Sequence, residues 1–315
     1  MTTRYLNLAP PFRMSLRGTP SGGFLWDGRA DDRFEQVFNA GPFFEHAEMA
    51  LPGSASQPKA LTDLVRSAPY WADIAALYAA TPALIDTDQK LFRQVAVLLE
   101  TYQRGDGDYN LFDSKFDQVQ ASTATLSDSE ARGLALFNDS QRGNCAHCHS
   151  SGTTQQKQLF TNFGYSALGI PRNHAGPKNA DPAFFDLGLC ARQKPIGSIS
   201  DLLIKLPRYC GLFKTPTLRN VERTAPYFHN ASAATLEQAV RFHFERDTQS
   251  AKWYRKADGT ADRKFNDLPI WYRGNVAQGR PFNGRYTASD ADIADIVAFL
   301  KTLNDADQTA PVPVR

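Results

Sequence analysis

The pentapeptide Cys145-Ala146-His147-Cys148-His149 reads C-x-x-C-H, which is the attachment pattern of a c-type haem. In this pattern the two thiols form thioethers with the porphyrin vinyl groups, and the histidine that follows is placed to ligate the iron. The alternatives are half of a zinc site or a disulfide loop. Zinc requires a second closely spaced pair of ligands, whereas the other two cysteines of the chain are twenty residues apart. The sequence therefore predicts one covalently bound haem c.

Length and composition are those of a soluble globular protein. The 315 residues suffice for one large domain or two ordinary ones. A content of 42% hydrophobic and 22% charged residues is typical of such proteins. A net charge of +2 argues against binding to nucleic acid or to a membrane surface. No apolar run approaches the length of a membrane span. We therefore expect no nucleic-acid partner and no membrane-spanning segment.

The cysteines outside the haem pattern, Cys190 and Cys210, bear on the compartment. They are expected to form a disulfide where thiols are oxidised, and c-type haem attachment in bacteria belongs to the periplasmic side. Two separate buried thiols are the alternative. The first residues, Met1–Asn7, contain no apolar segment typical of a signal peptide. We expect a periplasmic protein whose signal peptide is missing from this sequence, either because the true start lies upstream or because the chain is a fragment.

Helical periodicity predominates along the chain and predicts a mainly α fold. A capping box at Ser127–Glu130 opens a helix just before the haem pattern, and Ser289 caps another helix at the carboxyl end. These two helices resemble the pair that crosses in a class I cytochrome c, with long irregular connections between them. The Gly-Asp sequence after Arg104 interrupts the helical pattern, and we expect a domain boundary near residue 112. Further helices are expected at 31–39, 60–67, 70–80, 88–104 and 236–246.

The sixth ligand of the iron is not a methionine of the haem domain, because all three methionines precede residue 50. Among the histidines, His174 lies in a loop of Pro, Gly and Asn typical of the surface, and His229 lies in an aromatic turn typical of packing. His243 belongs to the helix expected at 236–246 and has apolar neighbours. We favour His243 as the sixth ligand, and an open or tyrosine-ligated iron is the alternative.

Several sequence segments occur in a specific order over nearly the whole chain. The first half contains 24–29 (FLWDGR), 35–36 (EQ), 41–42 (GP) and 48–49 (EM), and the second half contains 211–221 (GLFKTPTLRNV), 224–230 (TAPYFHN) and 235–240 (TLEQAV). Together they resemble the bacterial dihaem cytochrome c peroxidases and their MauG and MbnH relatives.

This resemblance implies a two-domain dihaem peroxidase architecture, in which each cytochrome c-like domain carries one haem. The amino-terminal haem would react with peroxide, and the carboxyl-terminal haem would accept or relay electrons. The chain has one C-x-x-C-H pattern, so a second haem is expected upstream of residue 1. Residues 1–112 would then be the remnant of the amino-terminal domain and residues 113–315 the carboxyl-terminal domain. A monohaem electron-transfer protein without peroxidase activity is the alternative.

The resemblance also implies roles for individual residues. Trp26 matches the tryptophan that relays electrons between the haems. Glu48 matches the acid/base carboxylate on the distal side of the peroxidatic haem, where a positioned carboxylate moves a proton between the peroxide oxygens. Gln36 matches a distal amide. His243 stands at the position of the sixth ligand, where typical peroxidases carry methionine and MauG carries tyrosine.

A calcium ion between the domains is a further implication of the resemblance. Its ligands would be the carbonyls of Thr224 and Pro226 and an asparagine side chain, for which Asn7 is the candidate. The implied enzyme is a cytochrome c peroxidase-like haem peroxidase that reduces H₂O₂ with electrons from a small redox protein, a cytochrome c or a cupredoxin. The segment after His243 looks closest to MbnH-like members, so oxidation of a partner protein or peptide is the alternative. Dimers are common in the family, which makes a homodimer the expected assembly.

Overall fold

The computed structural model describes residues 4–38, 58–105, 107–151, 157–192 and 199–306 and is mainly helical, as the sequence predicts. Two short antiparallel ladders accompany the helices, β1 (Arg13–Met14) with β2 (Pro20–Ser21) and β3 (Tyr165–Ser166) with β4 (Phe213–Lys214). The α-helices in the described ranges are α1 (Arg33–Phe38), α2 (Pro58–Ser67), α3 (Trp71–Leu77), α4 (Asp88–Gly105), α5 (Lys115–Gln120), α6 (Asp128–Asn138), α7 (Ile199–Leu203), α8 (Leu236–Glu245), α9 (Ser250–Trp253) and α10 (Asp290–Lys301).

The helices expected from periodicity are present, and the ones that sequence reasoning missed are short. Helices α5, α7 and α9 have four to six residues, which is too short for a 3.6-residue repeat to become visible. Tertiary contacts stabilise such helices more than their own propensity does.

Capping boxes begin four helices of the second half and fix where each helix starts. In each box the hydroxyl of the N-cap residue accepts a backbone N–H three residues on, and the side chain at that position accepts the N-cap N–H in return. The paired residues are Ser114 and Asp117 for α5, Ser127 and Glu130 for α6, Thr235 and Gln238 for α8, and Ser289 and Asp292 for α10.

Helices α6 and α10 cross in direct contact, as the resemblance to a class I cytochrome c implies. Gly133 of α6 lies against the backbone of Asp295 in α10, where an added Cβ atom would stand 1.9 Å from the carbonyl oxygen. The Asp295 carboxylate accepts hydrogen bonds from Arg132 Nε at 2.7 Å and from Ser129 Oγ at 2.6 Å. Beneath the crossing, four phenylalanine rings pack edge to face with centroids 5.1–6.2 Å apart: Phe116, Phe137, Phe160 and Phe299.

Helices α1 to α4 form the helical part of the first half, and α1 and α2 pack on α4. The Asp88 carboxylate at the start of α4 accepts hydrogen bonds from Thr62 Oγ1 at 3.0 Å and from Arg66 Nη1 at 2.5 Å. Leu91 and Phe92 are buried on the inner face of α4. No helix in the described ranges combines the length and the apolar character that crossing a membrane would require.

The segment before α1 packs against the second half of the chain. The Lys214 N–H donates to Trp26 O at 2.8 Å, and the Tyr165 hydroxyl donates to Gly22 O at 2.8 Å. Buried Arg192 donates to Gly28 O at 3.0 Å. Contacts therefore run across the boundary expected near residue 112, and the division into 1–112 and 113–315 stays a prediction.

Cys190 and Cys210 are joined by a disulfide, with Cα atoms 4.8 Å apart. The bond lies in a buried apolar cluster with Leu189, Ile204 and Tyr209. Leu212 packs against this cluster and against a second apolar cluster, whose members Ile170 and Leu268 line the cavity described below.

Candidate haem site

A cavity of about 520 Å³ opens in the second half of the chain between the C-x-x-C-H turn and α8. This volume lies within the range of cofactor and small-molecule sites. Most of its wall is apolar and comes from distant segments, including Phe137, Leu168, Leu218, Val240, Ile296 and Leu300. The sequence-predicted haem residues Cys145, Cys148, His149 and His243 all line this one cavity.

The haem pattern folds into a short 3₁₀ turn over Cys145–His147. Asn144 begins the turn with φ 50°, in the left-handed region that asparagine tolerates well. The His149 N–H then donates to Cys145 O at 2.9 Å, which turns both thiols and the imidazole toward the cavity. Cys145 and Cys148 are free thiols, and burial raises the pKa of both. The pair therefore presents two protonated thiols beside one apolar space, as attachment to two vinyl groups requires.

His149 Nδ1 lies 3.0 Å from Phe160 O. This contact assigns the proton to Nδ1 and leaves Nε2 as the free lone pair. Burial lowers the pKa of His149 to about 4, and nearby His243 acts in the same direction. The imidazole is therefore neutral at ordinary pH, which is the form that binds a metal.

His243 is oriented in the same way on the other element. Its Nδ1 lies 2.7 Å from Ala239 O, one turn earlier on α8, so its Nε2 is also left as the lone pair. Burial lowers the pKa of His243. The rings of Phe282 and Phe228 flank the imidazole, with centroids 5.4 Å and 5.9 Å away. Two neutral imidazoles with defined tautomers thus face one cavity.

Buried polar groups in the cavity wall test whether the residues fit a haem, whose two propionates are carboxylates. His229 Nε2 and Arg280 Nε are buried and have no hydrogen-bond partner in the described part of the chain. Lys214 is buried, and its ammonium donates to Gly23 O at 2.6 Å. Burial lowers the pKa of Lys214 to about 8. These nitrogen atoms are donors for buried carboxylates, so the wall fits a haem in polarity as well as in volume.

Trp26 lines the same cavity next to β4. Its carbonyl oxygen is held by the Lys214 N–H, and the following turn packs on Tyr165, whose hydroxyl oxygen lies 2.1 Å from where a Cβ atom on Gly28 would stand. A tryptophan of the first half is therefore fixed at the haem cavity of the second half.

The other site residues that the sequence predicted do not all line the cavity. Thr224 and Pro226 line the cavity. Gln36 lies in α1 with its Oε1 buried, and Asn7 Oδ1 is also buried; neither oxygen has a partner among the described residues. Glu48 lies outside the described residues. No group of three or more His, Cys, Asp or Glu in the described ranges could hold a metal ion.

Sequence reasoning assigned no role to several other polar residues of the cavity wall. Asp186 and Asp267 both line the cavity, and burial raises the pKa of each carboxyl. Asp267 is held by Asn230 Nδ2 at 2.9 Å and by Arg172 Nη1 at 3.2 Å. The Asn-Asp pair before Leu268 was visible in the sequence, but nothing in it indicated burial.

The remaining histidine of interest, His174, is not part of this site. Its Nε2 lies 3.0 Å from Arg255 O, and it does not line the cavity. His229 does line the cavity, stacked on Phe213 with ring centroids 3.4 Å apart, and burial lowers its pKa to about 3. The sequence predicted a packing role for His229, and the stacking agrees with it, but its unpartnered Nε2 faces the haem cavity as well.

Comparison with known proteins identifies relatives of the whole chain. No protein-family model matches it. Methylamine utilization protein MauG of Paracoccus denitrificans is 28% identical over 306 residues, which are 96% of this chain and 73% of MauG. Cytochrome c551 peroxidase of Nitrosomonas europaea is 26% identical over 92% of this chain and 64% of the peroxidase.

Solved structures agree. The diheme peroxidase BthA from Burkholderia thailandensis matches with a TM-score of 0.83 and 33% identity, over 97% of this chain and 71% of BthA. This chain belongs to the family of dihaem cytochrome c peroxidases and MauG. A MauG-like protein associated with microbial copper homeostasis shares the fold, with a TM-score of 0.57 and 20% identity.

Membership of the dihaem peroxidase family confirms the mainly α, cytochrome c-like fold class that the sequence predicted. It also confirms the class of protein, a haem peroxidase-like oxidoreductase with a c-type haem. The C-x-x-C-H turn brings both thiols and a neutral imidazole together at an apolar cavity, which is the arrangement that attachment of such a haem requires.

Proposed function

We propose that this chain reduces H₂O₂ to water with electrons from a small redox protein, a cytochrome c or a cupredoxin. The observation that carries the proposal is one cavity faced by two oriented, neutral histidines, with Trp26 in its wall. A haem c held between these histidines would accept and relay single electrons, and peroxide would react at the second haem that the family resemblance implies. The relatives of this chain include peroxidases, in which haem redox chemistry is used on peroxide.

In this proposal the chain's own residues hold and orient the cofactor. Cys145 and Cys148 would form the thioethers, and His149 and His243 would ligate the iron. The carbonyl partners of the two Nδ1 atoms fix the ring orientations and increase the basicity of Nε2. The buried nitrogens of Lys214, Arg280 and His229 would be the hydrogen-bond donors for the propionates. Two histidine ligands favour a lower potential than a histidine and a methionine.

Proton and electron delivery fall to residues of the first half. Trp26 relays electrons in this proposal, because the residue lines the cavity and its backbone is held to β4. Glu48 moves a proton from the near to the far oxygen of the peroxide, and Gln36 orients the peroxide by a hydrogen bond. Two electrons and two protons convert one H₂O₂ into two waters.

The proposal includes the remaining expectations from the sequence. Thr224 and Pro226 offer carbonyl oxygens, and Asn7 a buried amide oxygen, to a calcium ion, which prefers such ligands. The protein would work in the periplasm, where thiols such as Cys190 and Cys210 are oxidised. It would act as a homodimer, with residues 1–112 and 113–315 as its two domains.

The test is donor-dependent turnover of H₂O₂ by the protein purified with its haem, together with the haem content per chain. We expect donor oxidation and peroxide consumption in a ratio of two electrons per H₂O₂. Trp26→Phe should slow turnover at least tenfold, whereas Trp71→Phe, which alters a tryptophan of α3 far from the cavity, should leave it unchanged. Equal turnover by both variants would remove Trp26 from the proposal, and absence of turnover in the wild type would refute the peroxidase function.

Oxidation of a partner protein is the second candidate, and the similarity to MauG over 96% of the chain favours it. The two candidates differ in the source of electrons. A peroxidase oxidises a redox protein reversibly, whereas a MauG-like enzyme removes electrons from side chains and changes the mass of its partner. Mass spectrometry of proteins incubated with the enzyme and H₂O₂ distinguishes them, because only the second activity produces a permanent mass change.

A further inference from the structure

One face of the second half exposes large apolar side chains among basic ones. Trp271 is 83% exposed and Ile270 is 60% exposed, both on the 3₁₀ turn Ile270–Asn275. Exposure of this extent is unusual for tryptophan. We call this surface the Trp271 face. Its apolar members are Leu16, Leu202, Leu206, Ile270 and Trp271, and its basic members are Arg13, Arg17, Lys205 and Arg208.

The three segments of the Trp271 face are held together by direct bonds. The Tyr209 hydroxyl donates to Gly18 O at 2.7 Å, which joins the β1–β2 hairpin to the turn Pro207–Tyr209. Asn275 Nδ2 donates to Pro207 O at 2.7 Å and to Cys210 O at 2.9 Å, which joins that turn to the one carrying Trp271. The disulfide cluster lies beneath. The face is therefore one rigid surface.

The charge of the Trp271 face is positive. Residues 10–24 and 268–275 contain no Asp or Glu, and residues 199–212 contain only Asp201. Asp201 is buried and pairs with Arg192. Asp262 is an acidic residue near Arg273, and the positive charge of the adjacent Arg263 offsets it. An acidic partner surface would therefore be attracted to this face at low ionic strength.

Two of the segments that form the Trp271 face continue directly into the wall of the haem cavity. Gly211 and Leu268 both line the cavity, and an added Cβ atom on Gly211 would stand 2.7 Å from Leu268 Cδ1. Gly211 follows the disulfide cysteine Cys210, and Leu268 precedes Trp271 by three residues. A protein bound on this face would therefore stand next to the cavity wall.

We propose that the Trp271 face is the docking site of a small electron-donor protein with an acidic surface. An exposed tryptophan surrounded by charges is the usual composition of a binding hot spot, and small redox complexes need only a limited interface. One electron passes from the donor's reduced centre to the ferric haem, so the donor is oxidised and the haem reduced by one electron, with no bond made or broken. This inference rests on the proposed function, because it requires a protein as the electron donor.

The test measures haem reduction alone, without peroxide, so failure of the peroxidase function does not affect it. The haem-loaded protein is mixed in a stopped-flow instrument with a reduced plant-type ferredoxin, an acidic one-electron donor of low potential. The comparison probes are the same ferredoxin with its carboxylates amidated, and dithionite as a small reductant. We expect the rate constant with native ferredoxin to fall steeply as the salt concentration rises. Salt screens the attraction between surface charges, with a screening length of about 10 Å at 0.1 M ionic strength.

The variants are Trp271→Ala and the double charge reversal Lys205→Glu/Arg208→Glu. Each should lower the rate constant with native ferredoxin at least tenfold and leave reduction by dithionite unchanged. The controls are Tyr102→Ala, which removes an aromatic ring that is 56% exposed on α4, and Lys256→Glu, which reverses an exposed charge elsewhere. Both controls should react like the wild type.

Three results would overturn the proposal. Wild-type rates in both variants would place docking elsewhere. Loss in the charge reversal with no change in Trp271→Ala would remove the tryptophan as the anchor. A wild-type dimer that Trp271→Ala converts to a monomer in gel filtration would make this face an interface between two copies of the chain.

Discussion

Histidines of the same chain have different environments, and the environment decides what each one can do. His149 and His243 both place Nδ1 on a backbone carbonyl and leave Nε2 free at the cavity. His174 uses its Nε2 on Arg255 O outside the cavity. A carbonyl partner on Nδ1 is the usual arrangement of a metal-bound imidazole, so geometry selects two histidines that the sequence could only rank.

The proposed ligand role of His243 predicts that its replacement changes the midpoint potential of the haem. His243→Met should raise the midpoint potential of the haem by a sizeable part of the roughly 0.8 V that axial ligands span, because a thioether stabilises ferrous iron. The absorption spectrum of the ferric haem should change as well. His174→Met is the matched control and should alter neither. An unchanged spectrum and potential in His243→Met would exclude His243 as a ligand.

Asp117 and Arg219 form an ion pair that links α5 to the segment after β4. The Asp117 carboxylate accepts hydrogen bonds from Arg219 Nη1 at 2.5 Å and Nη2 at 2.7 Å, and Arg219 is fully buried. Burial by itself would raise the pKa of Asp117, but the bonds from Arg219 outweigh it and hold the pKa below its usual value. A depressed carboxyl pKa stabilises the fold above the pKa of the unfolded chain, near 4.

Asp117→Asn should therefore reduce the free energy of unfolding by about 3 kcal/mol at pH 7, because it leaves Arg219 buried without its counter-charge. The difference from the wild type should shrink as the pH falls through the folded pKa of Asp117, where the wild-type carboxylate is itself neutralised. Urea unfolding at a series of pH values measures this. Asp128→Asn, at an exposed position in the first turn of α6, should cost less than about 1 kcal/mol. A loss that does not depend on pH would contradict the ion-pair explanation.

At the scale of elements, the crossing of α6 and α10 depends on one small residue. Gly133 lies in the middle of α6 and has no positive φ, so its backbone conformation does not require glycine. The requirement comes from Asp295 O in the other helix, which occupies the space of a side chain. The two helices together support the phenylalanine cluster beneath the haem turn.

Gly133→Ala should destabilise the protein by about 3 kcal/mol, because the helices must separate to admit a methyl group and the backbone of α10 cannot move aside like a side chain. Denaturant unfolding and haem absorption are the measurements. Gly105→Ala is the matched control, since nothing lies within 4 Å of that position at the end of α4, and it should be neutral or slightly stabilising. Equal stability of the two variants would show that the helices adapt to the methyl group at little cost.

At the scale of the whole molecule, the cofactor site takes the place of part of the core. The cavity of about 520 Å³ borders the main apolar cluster, including Leu236, Val240 and Leu300. Without a haem this largely apolar wall would lose the group that covers it, and burial of apolar surface is the main favourable contribution to folding. A haem would therefore complete the fold as well as serve its chemistry.

The haem-free protein, produced without the haem-attachment machinery, should therefore lack a cooperative thermal transition and bind a hydrophobic dye, as partly folded states do. The haem-loaded protein should unfold cooperatively. Circular dichroism and dye fluorescence measure the two forms. The loaded His174→Met variant controls for mutation and handling. Cooperative unfolding of the haem-free protein at the temperature of the loaded one would show that the cavity is stable when empty.

The features of this protein that depend on residues close together in the chain can be predicted from its sequence alone. The C-x-x-C-H pattern predicts the haem attachment site, because two thiols and an imidazole within five consecutive residues suffice to define it. Capping boxes and 3.6-residue periodicity set the long helices, because a helix is stabilised by neighbours three and four positions away. The ordered segments of both halves identified the family, and 33% identity to BthA agrees with them.

The features that depend on burial and on neighbours from distant segments became visible only in the tertiary structure. Lys214, Arg280 and His229 are ordinary residues in the sequence, and they become donors for carboxylates because the fold buries them around one cavity. Trp271 resembles a core residue in the sequence, and the fold leaves it exposed on a basic face. Burial arises from long-range packing, which local patterns do not contain, so the surroundings of the haem and the docking face appear only once the chain is folded.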